Sequence, residues 1–215
     1  MFDIDVRKYR IVDLSLEVRP GEQPADRPFD VERGYLADRA FKYDVLRTHT
    51  HVGTHVEAPA HFFEGGKSVT DLPVETYMGA AVLAAVDLPD DAEVTPAHLD
   101  QLIGDIMAPG RIVVARDDRE ARGRAQDRAP YLTVDSASWL VERGMKMLVL
   151  GVRMGREMDE GRAIHDVIMG REIPIVEMLD NLGELRRREF YFMALPFKAR
   201  GMDSGWARAI AIEER

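Results

Sequence analysis

Residues 49–61, "HTHVGTHVEAPAH", decide the fold and the chemistry of this chain. The stretch holds four of the six histidines in the sequence, together with one glutamate. After His49, which has the same parity, four histidine and glutamate side chains fall at odd positions, namely His51, His55, Glu57 and His61. An extended chain with a period of two would direct all four to one side. A helix would pair only the first two, and the proline that follows would disrupt it.

Imidazoles and a carboxylate at this spacing predict a metal site, because each buried polar group would otherwise need its own partner. The chain has no cysteine, so any metal must use nitrogen and oxygen ligands. His51, His55 and Glu57 suit Zn²⁺ or Mn²⁺ and leave a coordination position open for water. A bound cation makes such a water more acidic, so that hydroxide becomes available as a nucleophile. His61 lies close enough to line the same cavity and carry a proton.

The order "HVGTHVEAPAHF" resembles the His-x-Gly-Thr-His-x-Asp-x-Pro-x-His-Phe signature of the metal-dependent cyclase family, which includes bacterial kynurenine formamidases and isatin hydrolases. Three further segments resemble that family in the same order: "VDLS" at Val12–Ser15, "IHDVIMGREIPIVEML" and "LPFKARGMDSGWARAIAIE". The fold that the resemblance implies is α/β, a swivelling β/β/α domain of mixed sheets with few helices. It also implies a dimer or a larger homo-oligomer.

The resemblance assigns a role to individual residues. It implies that the first metal is held by His51, His55 and Glu57. The acid would bridge to a second metal completed by His165 and Glu177, so that the cofactor is one or two Zn or Mn ions. His61 would be the catalytic proton donor and acceptor.

Two positions depart from the family pattern. Glu57 replaces the usual aspartate, and its extra methylene moves the carboxylate outward by a distance that is large for a metal ligand. The number of metals is therefore left open. Arg19, in "VRPGE", replaces a tryptophan that packs against an aryl substrate in the formamidases. If Arg19 faces the pocket, its guanidinium predicts a substrate with a carboxylate, whereas the alternative is a solvated residue before a turn.

Length and composition set the remaining bounds. The 215 residues predict one domain, residues 1–215, large enough to bury a core. A formal net charge of −9 argues against nucleic-acid and anionic-membrane partners. No apolar run approaches the roughly 20 residues that span a bilayer. The charged start "MFDIDVRKYR" lacks a signal-peptide pattern, so we expect a cytoplasmic protein that acts on a small molecule.

Apolar runs alternate with turn residues, which predicts an α/β chain. The predicted strands are Arg10–Leu16, Phe41–Thr50, Ala80–Asp87, Arg111–Ala115, Lys146–Gly151, Ile173–Glu177, Phe190–Leu195 and Ala207–Glu213. The predicted helices start at Thr95, at Thr133 or Asp135, and near Arg162, and they end near Ile103, Gly144 and Met169. The charged stretch Arg116–Pro130 predicts an exposed loop.

These observations favour a metal-dependent hydrolase of a small amide, formamide or lactam. Two alternatives remain open. One is a metal-dependent lactone or ester hydrolase, or a cyclase or dehydratase, which would use the same cation and His61. The other is a non-catalytic protein in which the metal is structural, although structural zinc sites usually close with four protein ligands.

Overall fold

The structure is a computed structural model that describes residues 5–36, 40–119 and 128–215. In chain order, its strands are β1 (Tyr9–Asp13), β2 (Phe29–Leu36), β3 (Ala40–Thr48), β4 (His55–Glu57), β5 (Met78–Val86), β6 (Glu93–Val94), β7 (Ile112–Asp117), β8 (Tyr131–Leu132), β9 (Met147–Gly151), β10 (Arg153–Met154), β11 (Ile175–Glu177), β12 (Glu189–Pro196) and β13 (Ser204–Glu214). The α-helices are α1 (Pro96–Ile103), α2 (Val134–Glu142) and α3 (Met158–Met169). No helix in these ranges is long and apolar enough to cross a membrane.

The main sheet is mixed and closes on itself like a barrel. Its strand order is β1-β13-β12-β5-β7-β9-β11-β4, and β4 also pairs with β13. The β5–β7, β7–β9 and β9–β11 pairs are parallel, whereas the pairs that involve β1, β4, β12 and β13 are antiparallel. The predicted α/β class, with a mixed sheet and few helices, is confirmed. The closure places β4, which carries part of the histidine motif, between β11 and β13.

The central strands separate two apolar cores. Val114 and Val149 belong to the core on one side of the sheet, and their neighbours Val113 and Leu148 belong to the core on the other. The second core also contains Ile164 of α3 and residues of α1 and α2. Because successive side chains of a strand alternate between faces, strands covered on both sides need nearly continuous apolar sequence. This explains the apolar runs of β5, β7 and β9.

The helix starts follow their capping residues. Thr95 precedes α1, and its hydroxyl accepts the backbone N–H of His98 while the His98 ring faces the Thr95 N–H. Thr133 caps α2 in the same reciprocal way with Ser136, which selects Thr133 over Asp135 as the start. The third helix begins at Met158, one turn before the predicted Arg162. The ring of His98 is therefore occupied by a local capping contact.

The sequence did not predict β2, the partner of β3 in a separate two-stranded ribbon. β2 reads "FDVERGYL", with charged residues and a glycine between the apolar ones, so its apolar content is too low for a buried strand. The ribbon is held by a continuous antiparallel register from Phe29↔Thr48 to Leu36↔Ala40, with a bulge after Asp30.

The predicted exposed loop at Arg116–Pro130 is partly wrong. β7 continues to Asp117, and Arg119 is almost completely buried. The Arg119 Nε and Nη2 atoms donate to the two Asp117 carboxylate oxygens at 3.0 and 2.9 Å. This two-point pairing allows a guanidinium to be buried. Residues 120–127 lie outside the described part of the chain.

Candidate metal centre

The histidine motif is a turn, a short strand and a 3₁₀ helix in succession. Residues 50–54 form the turn, His55 and Glu57 lie on β4, and Pro59–His61 forms the 3₁₀ helix. The prediction that one extended segment aligns all four side chains is therefore wrong for His51 and His61. The turn and the 3₁₀ helix bring these two rings back toward Glu57.

Gly53 makes the turn possible. Its φ is +63°, in the left-handed region where side chains other than glycine are strained. A Cβ at this position would also lie 2.3 Å from the Cγ2 atom of Val18. Glycine is thus required both by the backbone conformation and by the packing of the Val18 segment against the turn.

The carboxylate of Glu57 lies at the centre of the motif histidines. Its Oε1 atom is 3.2 Å from the Nε2 atom of His51 and 3.5 Å from that of His55. The Nε2 atom of His61 lies 3.7 Å from the same oxygen. The second oxygen, Oε2, faces the Nε2 atom of His165 at 3.6 Å. Four imidazoles therefore direct the same ring nitrogen at one carboxylate.

Three buried polar atoms of this cluster have no hydrogen-bond partner among the described residues. They are the Nε2 atoms of His51 and His55 and the Oε2 atom of Glu57. Leaving such atoms unpaired costs about 1–3 kcal/mol each. Lone pairs of imidazole nitrogen and carboxylate oxygen that converge in this way are the donor set of a divalent cation, so the residues fit the predicted metal.

The opposite ring nitrogens show which form of histidine is present. The Nδ1 atom of His55 lies 2.8 Å from the carbonyl oxygen of Gly53, and that of His165 lies 2.7 Å from the carbonyl oxygen of Gly161. A carbonyl oxygen only accepts, so in both rings Nδ1 carries the hydrogen. In the neutral form of each ring, the Nε2 lone pair is then free to bind metal, as is usual for histidine ligands.

The electrostatics of the cluster agree with a shared cation. Burial opposes the charge of Glu57, but the facing imidazoles of His165 and His51 outweigh it and hold the Glu57 pKa well below its usual range. Burial also opposes charge on His55 and His165, but Glu57 outweighs it and raises their pKa values. A cation, whether a proton or a metal ion, is therefore favoured between these rings and the carboxylate.

The structure also brings Glu177 into the cluster. Burial, and then the nearby charge of Glu57, raise the Glu177 pKa. Its Oε1 atom lies 4.0 Å from the Nε2 atom of His165. Two sets of three residues offer ligand atoms that, within each set, all lie within 4.8 Å of one another. They are His51, Glu57 and His61, and His55, Glu57 and Glu177. All five predicted ligands thus meet in one place with His61, although the grouping differs from the one that the resemblance implies.

Asp203 is a member of the site that the sequence analysis did not single out. It precedes β13, and its Oδ2 atom lies 2.8 Å from the Nδ1 atom of His61. No spacing relative to the histidine motif points to it, because the contact arises from the pairing of β13 with β4.

Arg19 lies outside the contacts of the cluster. Its side chain is 66% exposed and pairs with Glu17 at 3.1 Å and with Glu22 at 3.8 Å. Its substrate-binding role stays a prediction. Of the aromatic residues near the predicted pocket, Phe62 packs on the ring of His165 at a centroid distance of 4.3 Å.

An apolar pocket of about 400 Å³ is lined in part by residues of the motif turn. Its walls include Val18, Phe29, Val52, Phe197 and Trp206. Val52 lies between His51 and Gly53 in the chain, so the turn that carries the cluster also forms part of this wall.

Comparisons with known proteins agree with this geometry. The family model described as "Putative cyclase" matches residues 12–152. The kynurenine formamidase of Bacillus thuringiensis (strain Al Hakam) is 26% identical over 192 residues, which cover 87% of this chain and 88% of the relative. The kynurenine formamidase of Erythrobacter litoralis (strain HTCC2594) is 26% identical over 212 residues, covering 95% and 94%.

Solved structures share the fold. Isatin hydrolase A from Ralstonia solanacearum superposes with a TM-score of 0.77 at 23% identity, covering 96% of this chain and 92% of that one. A potential metal-dependent hydrolase with cyclase activity superposes with a TM-score of 0.76 at 19% identity, covering 96% and 99%. The family match spans more than half of the chain and contains the whole histidine motif. This chain belongs to the cyclase family.

Proposed function

We propose that the chain is a metal-dependent hydrolase of a carbon–nitrogen bond in a small amide, formamide or lactam. The observation that carries the proposal is the convergence of four imidazole Nε2 atoms on the Glu57 carboxylate. Three of the nitrogen and oxygen atoms that could bind the metal are buried without a hydrogen-bond partner among the described residues. The similarity to kynurenine formamidases supports this bond type.

The metal ligands that we propose are His51, His55, Glu57, His165 and Glu177. Imidazole and carboxylate ligands without sulfur are compatible with Zn²⁺ and Mn²⁺. When bound, the cation supplies Lewis acidity to the carbonyl group and makes a water molecule more acidic.

His61 is the proposed proton carrier. Its side chain is 28% exposed, compared with 9% for His51 and 0% for His55, so it is the most accessible of these three rings. Its Nε2 atom would take a proton from the water whose oxygen bonds to the carbonyl carbon. It would return that proton to the nitrogen as the C–N bond breaks, giving a carboxylic acid and an amine.

The test combines metal analysis with hydrolysis assays. Chelator-treated enzyme should lose turnover of formanilides or lactams and regain it with Zn²⁺ or Mn²⁺. His51→Ala should lose both metal and turnover. His61→Ala should keep the metal while the rate falls roughly 10²- to 10⁴-fold, the usual contribution of general acid–base catalysis.

The matched control is His98→Ala, because that ring caps α1 and lies outside the cluster. It should leave metal content and turnover close to those of the unaltered enzyme. Full hydrolysis by metal-free enzyme would overturn the proposal. If the enzyme hydrolyses lactones but no amide, the chain is a metal-dependent lactone or ester hydrolase instead. If it binds metal but hydrolyses no substrate, the metal site is structural.

We also propose that the chain forms a homodimer through the β2–β3 ribbon. The register places Tyr35 opposite Phe41 and Arg33 opposite Tyr43 on one face of the ribbon. The other face carries charged residues, including a Lys42–Asp44 ion pair with a separation of 2.7 Å. The ribbon is thus amphipathic, and in the single chain its aromatic face is exposed.

The exposed aromatic area is comparable to the largest apolar patch of a typical monomer, and such patches often mark interaction sites. The exposed fractions of Tyr35, Phe41 and Tyr43 are 66%, 56% and 63%. With about 150–250 Å² for each aromatic side chain, the three expose on the order of 350 Å². Phe29, at the base of the ribbon, lines the apolar pocket and packs against Trp206. The three rings account for somewhat less than half of the roughly 800 Å² that each partner buries in a standard interface.

A further inference from the structure

Asp203 is held beside the cluster by its backbone as well as by its side chain. Its carbonyl oxygen accepts the N–H of Ala58 at 2.8 Å, and the next residue, Ser204, pairs with Glu57 in the β13–β4 ladder. The segment is therefore tied to the histidine motif independently of the carboxylate. The carboxylate is therefore not needed to hold the segment in place, and its function is indicated by the contacts of its own oxygen atoms.

The principal contact of the carboxylate is with His61. Its Oδ2 atom lies 2.8 Å from the Nδ1 atom of His61, and its Oδ1 atom accepts the hydroxyl of Thr50 at a longer 3.5 Å. The same Oδ2 atom also lies 3.9 Å from the Nε2 atom of His51, which is a longer separation than that to His61. An ionised carboxylate only accepts hydrogen bonds, so the Nδ1 atom of His61 must carry the hydrogen.

The other side of the ring faces the metal cluster. The Nε2 atom of His61 points at Glu57, and its ring lies 4.4 Å from that of His51 between centroids. With the hydrogen fixed on Nδ1, the lone pair is fixed on Nε2, where it can accept a proton. We propose that Asp203 is a positioning residue that selects this tautomer and orientation of His61. The proposal rests on the proposed proton-carrier role of His61.

The variant that separates tautomer selection from packing is Asp203→Asn. It keeps the shape of the side chain, but the amide can donate to Nδ1 and so favour the ring form with the hydrogen on Nε2. In Zn²⁺-loaded protein labelled with ¹⁵N-histidine, the His61 signals should move from the Nδ1–H form to the Nε2–H form. The His61→Ala protein, which lacks these signals, identifies them.

Metal content should stay unchanged in Asp203→Asn, whereas kcat should fall roughly 10²- to 10⁴-fold, with a smaller change in KM. The control is Asp105→Asn, which removes a carboxylate paired with Arg188 far from the cluster and should alter neither readout. If Asp203→Asn fails to fold, Asp203→Glu offers a longer acceptor, which should keep the Nδ1–H form and part of the activity.

Three results would overturn the proposal. They are an unchanged Nδ1–H form in Asp203→Asn, a kcat equal to that of the unaltered enzyme, and a loss of metal as large as in His51→Ala. The NMR readout does not depend on turnover. Failure of the hydrolase proposal would therefore appear as absent activity in the unaltered enzyme, whatever the tautomer of His61.

Discussion

Glu57 and His165 meet across the site, with Oε2 of the glutamate 3.6 Å from Nε2 of the histidine, while Oε1 faces the histidines of the motif. The two oxygens of one carboxylate therefore face different groups of ligands. The Oε1 side is the tighter one, with a shortest separation of 3.2 Å to His51, whereas Oε2 lies 3.6 Å from His165, which is in turn 4.0 Å from Glu177. We therefore propose that Glu57 contacts two cations, one more closely than the other.

This inequality predicts one tight and one weak metal site per chain. A calorimetric titration of metal-free protein with Zn²⁺ should show two binding steps of different affinity. His165→Ala should abolish only the weak step, because His165 faces Oε2 alone. His51→Ala should abolish the tight step. Two equally tight steps in the unaltered protein would contradict the prediction, as would loss of both steps in His165→Ala.

Gly53→Ala tests how the motif turn is built. Left-handed backbone at a residue with a side chain costs about 1–3 kcal/mol, and the new methyl would also meet Val18. Gly21→Ala is the matched control, because Gly21 has a φ of +76° but no atom within 4 Å of an added Cβ. The free energy of unfolding should fall in both variants, and by more in Gly53→Ala.

Gly53→Ala should also weaken metal binding, since the Gly53 carbonyl accepts the Nδ1–H of His55. Adding Val18→Ala to Gly53→Ala should recover part of the lost stability by removing the contact. An equal loss in Gly21→Ala and Gly53→Ala, or no recovery in the double variant, would show that packing against Val18 is unimportant.

The sequence predicted those parts of the site that lie close together in the chain or carry a family pattern. His51, His55 and Glu57 are separated by only a few residues, so spacing alone brings them near one another. His165 and Glu177 became candidates only through resemblance, because long-range pairing decides where α3 and β11 end. Asp203 lies in the closing segment that resembles the family, but nothing in the chain pointed to its contact with His61, since only the β13–β4 ladder places the two together.

The fold shows the same division. Apolar runs predicted the strands that are covered on both faces, and the capping residues predicted the start of α1 at Thr95 and that of α2 at Thr133 or Asp135. The ribbon strand β2 was missed because its mixed polar pattern reflects an exposed surface. The burial of Arg119 was missed because its compensation by Asp117 depends on side-chain geometry, which composition does not encode.

The ribbon predicts a dimer that a single charge can disrupt. The unaltered protein should sediment as a dimer at micromolar concentration, and Phe41→Glu should shift it toward monomer, because a buried unpaired carboxylate is costly in an apolar interface. Glu32→Gln is the control, since Glu32 lies on the charged face opposite Asp44. Monomeric unaltered protein, or a Phe41→Glu dimer of undiminished stability, would rule out this interface.

Arg19 provides the prediction about substrate. In the single chain its guanidinium is exposed and pairs with Glu17 and Glu22, so it is available to exchange these contacts for another carboxylate. Exposed pairs of this kind contribute only about 0–1 kcal/mol, which makes the exchange inexpensive. A charge-assisted contact to a substrate carboxylate contributes about 1.5–3 kcal/mol.

Arg19→Ala should therefore raise KM for an anionic amide or lactam roughly ten- to a hundredfold, and should spare a neutral analogue of the same shape. The control is Arg188→Ala, which removes an exposed guanidinium paired with Asp105 away from the cluster. Comparing the two substrates within each variant cancels any general effect of the lost charge. Equal changes in KM for the charged and the neutral substrate, or none for either, would show that Arg19 is a surface residue without a role in binding.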